Sequence, residues 1–169
     1  APEEGRKGVR VLTNDDYGII KKPLDIPLNE ETRLNFNWSY KKLPATMSEM
    51  EVAGHDYMSI AVEFDNGSDI TWMWSREISP ETSFHCPLDG WQDVETHIVL
   101  QSGYSEMGKW FSHERQVKKD YESAVGGEIP SRIVGVWIIG NAVFGKQEAE
   151  AIFANIQIKN KTEVIEIFE

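Results

Sequence analysis

Cysteine is almost absent: Cys86 is the only one in 169 residues, so no disulfide can close within one chain and no multi-cysteine zinc or iron–sulfur site is available to it. Long apolar runs are missing too, and nothing approaches the ~20 residues needed to span a bilayer. Basic residues are scarce, with 17 Lys plus Arg against 28 Asp plus Glu and a formal charge of −11. That excess repels phosphate backbones and anionic lipid alike, and no local basic patch offsets it. It weighs against nucleic acid or a membrane surface as partner. The chain also lacks HExxH spacing, a GxSxG elbow, a GxGxxG fingerprint and a P-loop, which leaves metalloprotease, serine-hydrolase, dinucleotide and nucleotide-hydrolase readings unsupported. On spacing alone no cofactor and no metal is expected. A metal site would have to be assembled from separate strands, and chelation is expected to be harmless.

Aromatics are abundant. Six Trp, five Tyr and seven Phe supply enough apolar area for one buried core. Residues 1 to 8 read as a flexible leader and residues 9 to 169 as a single domain. The opening Ala1-Pro2-Glu3-Glu4 looks like a processed start, which suggests a periplasmic or secreted protein, or else a trimmed boundary. The sequence sets no oligomeric state.

Period-2 alternation predicts the strands. It runs through Leu34, Phe36, Trp38 and Tyr40, then Ile60, Val62 and Phe64, then Ile70, Trp72 and Trp74. Further strands are expected over 96–100, 133–139 and 152–158. Asn66-Gly67 between two alternating runs predicts a hairpin with positive φ at both central residues, which also accounts for the Asp65 to Asp69 segment without calcium. One helix is expected over 112–125, with Ser112 as its cap, Val117 and Tyr121 at helical spacing, and Gly126-Gly127 at its end. The fold class is therefore mainly β: a two-sheet antiparallel β-sandwich, jelly-roll-like, with one short helix.

The stretch Asn35-Phe36-Asn37-Trp38, His55-Asp56-Tyr57, Val62-Glu63-Phe64 and Ile70 to Ser75 resembles the first half of the bacterial family called domain of unknown function 3047. Gly108-Lys109-Trp110, Glu114-Arg115-Gln116-Val117, Asp120-Tyr121, Gly126 and Ile133 to Val136 are similar to its second half. Two places depart from the family pattern. Gly140 to Gly145 replaces an acidic segment, and an apolar residue near Ile60 replaces an Arg. The resemblance implies an exported bacterial sandwich, similar in outline to galactose-binding jelly rolls, and no particular reaction.

Flat aromatic faces that stack on a pyranose, flanked by amides and carboxylates, make a saccharide or small polar ligand the expected partner. The candidates are Trp38, Trp72, Trp74, Trp91, Trp110 and Trp137; of these Trp72 and Trp74 share a strand face and read as core, whereas Trp91 and Trp110 lie in or beside loops and are the preferred ligand-contact candidates. Arg115, at the start of the expected helix, is the candidate anchor for a carboxylate or sugar diol, with an ion pair to Asp120 as its structural alternative. If the protein is an enzyme, a lyase, isomerase or glycoside hydrolase, His97 and Glu114 are the first acid–base candidates, with Glu63 and Asp120 behind them. Cys86, beside His85, reads as an inert thiol. An envelope-assembly module is the third reading, since the fold cannot choose among these.

Overall fold

The computed structural model describes residues 7–168. Residues 1 to 6 of the expected leader lie outside them, and Gly8 already opens the first strand. In chain order the elements are β1 (Gly8–Thr13), β2 (Tyr17–Pro27), β3 (Arg33–Lys42), β4 (Tyr57–Phe64), β5 (Asp69–Ser75), β6 (Ser83–His85), β7 (Glu95–Ser102), β8 (Phe111–Gln116), α1 (Val117–Ala124), β9 (Arg132–Asn141), β10 (Ala149–Lys159) and β11 (Val164–Glu166). Two sheets result. One has the order β1-β10-β3-β8, with β11 also on β10; the other runs β2-β9-β4-β5-β7-β6. This is the expected mainly-β sandwich with one short helix.

The two sheets meet along the alternating apolar faces. Phe36, Trp38 and Tyr40 of β3 and Phe153 of β10 face Ile60 and Val62 of β4, Trp72 and Trp74 of β5 and Ile98 of β7, all buried. Each Phe- or Ile-sized side chain so buried stabilises the fold by about 1.5–3 kcal/mol. Rings lock edge to face: Trp38 and Tyr40 lie 5.2 Å apart at 85°, and Tyr40 donates its hydroxyl to the Met58 carbonyl at 2.6 Å. The indole N–H of Trp38 goes to Gln101 at 2.8 Å and that of Trp74 to the Gly103 carbonyl at 2.9 Å. Buried donors are thereby satisfied.

Three details differ from the sequence expectation. Residues 112 to 116 are strand rather than helix: β8 pairs with β3 from Arg33↔Gln116 to Trp38↔Phe111, and α1 starts only at Val117. Gln116 stands at the helix cap without a side-chain capping bond, so Ser112 caps nothing. The β4–β5 hairpin forms as expected, but only Gly67 takes positive φ, at 83°. Its N–H bonds the Phe64 carbonyl at 3.0 Å, and Phe64 N–H bonds the Ser68 carbonyl at 2.9 Å, a type I turn closed by a left-handed glycine. Finally, β5 and β7 are parallel, from Asp69↔Glu95 to Ser75↔Ser102. Parallel neighbours need a long return connection, here residues 76–94. That connection folds back over the outer face of the six-stranded sheet, where Tyr57, Met73, Ile78 and Val99 form a second apolar cluster joined by Phe84 and Ile139.

Candidate functional site

Because β8 runs straight into α1, Arg115 and Asp120 come within reach of each other. Arg115 donates from Nε to Asp120 Oδ2 and from Nη2 to Oδ1, both at 2.8 Å, and from Nη1 and Nη2 to Glu81 at 3.0 and 3.2 Å. Asp120 Oδ2 also accepts the buried Trp72 indole N–H at 2.9 Å. Arg115 and Glu114 line a cavity of about 440 Å³ together with Glu81, Lys119, Asp120 and Ser123. The guanidinium fork is committed to the two carboxylates, and the ion pair foreseen as its structural alternative is present. His97, Trp91 and Trp110 are not among that cavity's lining residues. Trp110 lies half-buried just before β8.

A second cavity, of about 360 Å³, opens on the outer face of the six-stranded sheet. Alternation along the strands aims Tyr17 and Ile19 of β2, Trp137 and Ile139 of β9, Tyr57 of β4, Thr71 of β5 and Glu95 of β7 to this side. The β5–β7 connection adds Leu88 and Trp91. Tyr17 and Trp91 are 65% and 48% exposed, and with Ile19 and Val143, also exposed, they line one groove, the kind of shared apolar surface that marks a contact site. Lys21 Nζ sits 5.1 Å from the Trp137 ring centre. Trp91 and Trp137, two of the six candidate tryptophans, are found here; Tyr17, Tyr57 and Glu95 were not singled out from sequence, because no local pattern marks them.

Glu95 joins the groove to a buried polar cluster. His55, Cys86, Glu95 and His97 bring one donor atom each to within 4.8 Å of one another. Cys86 Sγ lies 3.3 Å from His55 Nε2, and His97 Nε2 lies 2.5 Å from Glu95 Oε1. Tyr57 donates its hydroxyl to the same Glu95 oxygen at 2.8 Å. His97 does lie mid-strand as read from sequence. Its ring is nevertheless sealed, stacked on Phe84 at 4.9 Å and 9° and edge-on to His55 and Tyr57, and it does not line the groove. Cys86 meets His55 across the fold, not only its chain neighbour His85.

Burial dominates the electrostatics. It pushes the Cys86 thiol up to about 12 and, with the His97 charge, pulls His55 down to about 4. Burial would raise Glu95 as well, but the neighbouring His97 and the Tyr57 hydroxyl hold its carboxyl below the ordinary value. Asp69, opposite Glu95 on β5, is raised to about 8 by burial and by the Glu95 charge. Asp69 is 1% exposed and does not line the groove.

The model of a family described as protein of unknown function (DUF3047) matches residues 1–157. No curated protein matches the chain. Among solved structures, the chain is similar to the xyloglucanase domain of NopAA, a type three effector from Sinorhizobium fredii, in complex with cellobiose (TM-score 0.53, 10% identity, 92% of this chain and 89% of that one). It is also similar to a native family 12 xyloglucanase from Bacillus licheniformis (TM-score 0.50, 10% identity, 88% of this chain and 76% of that one). At such identity the likeness is one of fold.

Proposed function

The chain belongs to the family described as protein of unknown function DUF3047, and from that premise we propose that it binds a saccharide along the aromatic groove of its six-stranded sheet. The observation that carries this reading is the set of exposed rings of Tyr17 and Trp91, with Trp137 beside them, around the single carboxylate Glu95. Aromatic faces take the C–H face of a pyranose, and a carboxylate takes its hydroxyls. The jelly-roll relatives support the same class of ligand, one of them carrying cellobiose, so oligosaccharides of β-linked glucose are the first to try.

Binding is favoured over hydrolysis. Glycoside hydrolysis ordinarily needs two carboxyl groups about 5–9.5 Å apart on either side of the scissile bond. Glu95 is the only carboxylate among the groove-lining residues. Asp69, although its pKa is pushed away from that of Glu95 as in an acid–base pair, lies beneath the surface where a glycosidic oxygen does not reach.

Isothermal titration with cello-oligosaccharides and xyloglucan oligosaccharides tests the reading. Saturable binding is expected, weakened at least about tenfold, or 1.4 kcal/mol, by Trp91→Ala and by Trp137→Ala with melting temperature preserved. Wild-type affinity in both folded variants, or no binding to any glycan tried, overturns it.

A further inference from the structure

We propose that His55, Cys86, Glu95 and His97 form a zinc site that fastens the β5–β7 connection to the outer face of the six-stranded sheet. The donors come from three separate parts of the chain. His55 belongs to the turn before β4, Cys86 follows β6 in the connection, and Glu95 and His97 share one face of β7. All four are buried, and two nitrogens, one thiolate and one carboxylate are the donor types zinc takes in tetrahedral sites.

The ring of His97 is the independent pointer to a ligand. It is 0% exposed, Nδ1 has no hydrogen-bond partner, and Nε2 meets Glu95 Oε1 at 2.5 Å in a contact that is not aligned as a hydrogen bond. A sealed imidazole whose best contact is a misaligned one to a carboxylate is poorly satisfied, and an ion between Nε2, Oε1 and the neighbouring donors gives both groups a well-directed partner. His55 is already oriented for the same task. The Glu49 carbonyl, 2.7 Å from Nδ1, can only accept, so the proton resides on Nδ1 and the lone pair of Nε2 points toward Cys86. A backbone carbonyl on the far nitrogen is the usual support of a metal-bound histidine.

Size and charge agree. Zinc–nitrogen and zinc–oxygen bonds of about 2.1 Å and a zinc–sulfur bond of about 2.3 Å separate tetrahedral donors by roughly 3.3–3.7 Å. The Sγ to Nε2 separation is 3.3 Å and the whole set spans no more than 4.8 Å; His97 Nε2 and Glu95 Oε1, 2.5 Å apart, have to part by about 1 Å as the ion enters. Two neutral imidazoles, a carboxylate and a thiolate, whose proton leaves to solvent as the ion enters, balance the charge of a divalent cation. The role is structural rather than catalytic, since four protein donors complete a tetrahedron and leave no open position. The inference stands on the cluster, but it shares Glu95 with the groove, where zinc would take one carboxylate oxygen and leave the other for a sugar hydroxyl.

The test strips the full-length protein of metal, confirms that it is folded, and titrates it with zinc against a chromophoric chelator, with cobalt(II) as spectroscopic substitute. One zinc per chain, a rise in melting temperature with zinc, and a cobalt spectrum with tetrahedral and thiolate-to-metal bands are expected. Cys86→Ser, nearly isosteric, should lose the thiolate band, and both it and His97→Gln should weaken zinc by more than about 100-fold, beyond the 10–100-fold typical of losing a supporting partner. Absence of stoichiometric zinc in the folded wild-type chain, or zinc affinity unchanged in both variants, overturns the proposal. So does preference for copper over zinc without a thiolate–cobalt band. Glycan titrations run with zinc and with chelator keep this outcome separate from that of the groove.

Discussion

Replacing Asp120 by Ala should be among the most damaging single changes outside the apolar core. Asp120 Oδ2 holds the Trp72 indole N–H at 2.9 Å, and both of its oxygens hold Arg115 at 2.8 Å. Trp72 is 0% exposed, so its donor would have no water to turn to, a loss of about 1–3 kcal/mol. The Arg115 and Asp120 side chains are 18% and 11% exposed, close to the buried regime in which removing one partner costs about 3–5 kcal/mol. Glu81 still pairs with the guanidinium, which keeps the charge term toward the lower end. Asp120 also lies in the first turn of α1, where a carboxylate adds a few tenths of a kcal/mol. The total expected is about 4–6 kcal/mol, or roughly 8–24 °C in melting temperature at 2–4 °C per kcal/mol for a chain of this length. Asp120→Asn, which keeps an acceptor but loses the charge, should cost about half. Urea unfolding followed by tryptophan fluorescence measures both, and a Trp72→Phe, Asp120→Ala cycle isolates the indole bond. A loss under about 1 kcal/mol for Asp120→Ala at unchanged m-value would refute the reasoning.

Two further outcomes follow from single residues. Gly67→Val should destabilise by about 1 kcal/mol or more, since φ is 83° there and a β-branched residue resists it although the space around it is open; thermal melts check this. Burial, and then the Arg115 charge, hold His113 down to about 4, below its unfolded value near 6.5. The folded state thus resists a proton that the unfolded state accepts, so the His113 contribution is fully present above about pH 6.5 and is lost as pH falls toward 4, by about 1–3 kcal/mol. His113→Gln should flatten that part of the wild-type stability curve by this amount, and parallel curves would count against it.

The legible part of the fold is the part written as alternation. β3, β4, β5, β9 and β10 each place apolar residues at every second position toward the other sheet, and their positions follow directly from that period. β2 is hidden because Ile19-Ile20-Lys21-Lys22 does not alternate and Pro23 stands at a register shift against β9, the kind of place an edge strand tolerates proline. β8 is hidden for another reason. Val117 and Tyr121 do mark a helix, but Ser112 looks like its cap, and only the pairing of His113 with Phe36 and of Arg115 with Leu34 makes residues 111 to 116 a strand. The Arg115–Asp120 pair was visible because its members are five residues apart. The donor cluster was not. His55, Cys86 and the Glu95–His97 pair meet only because β7 lies parallel to β5, and no local spacing encodes that crossover. Trp137 is among the candidate tryptophans, but nothing local in the sequence sets it ahead of the others as bordering a groove.

The groove as a saccharide site is read most directly by the six tryptophan indole N–H signals. In a ¹H–¹⁵N titration with a cello-oligosaccharide series, the Trp91 and Trp137 indole signals are predicted to move together and saturate, while those of the buried Trp38, Trp72 and Trp74 stay fixed. Movement confined to Trp110, just before β8, or no movement at saturating glycan, contradicts it.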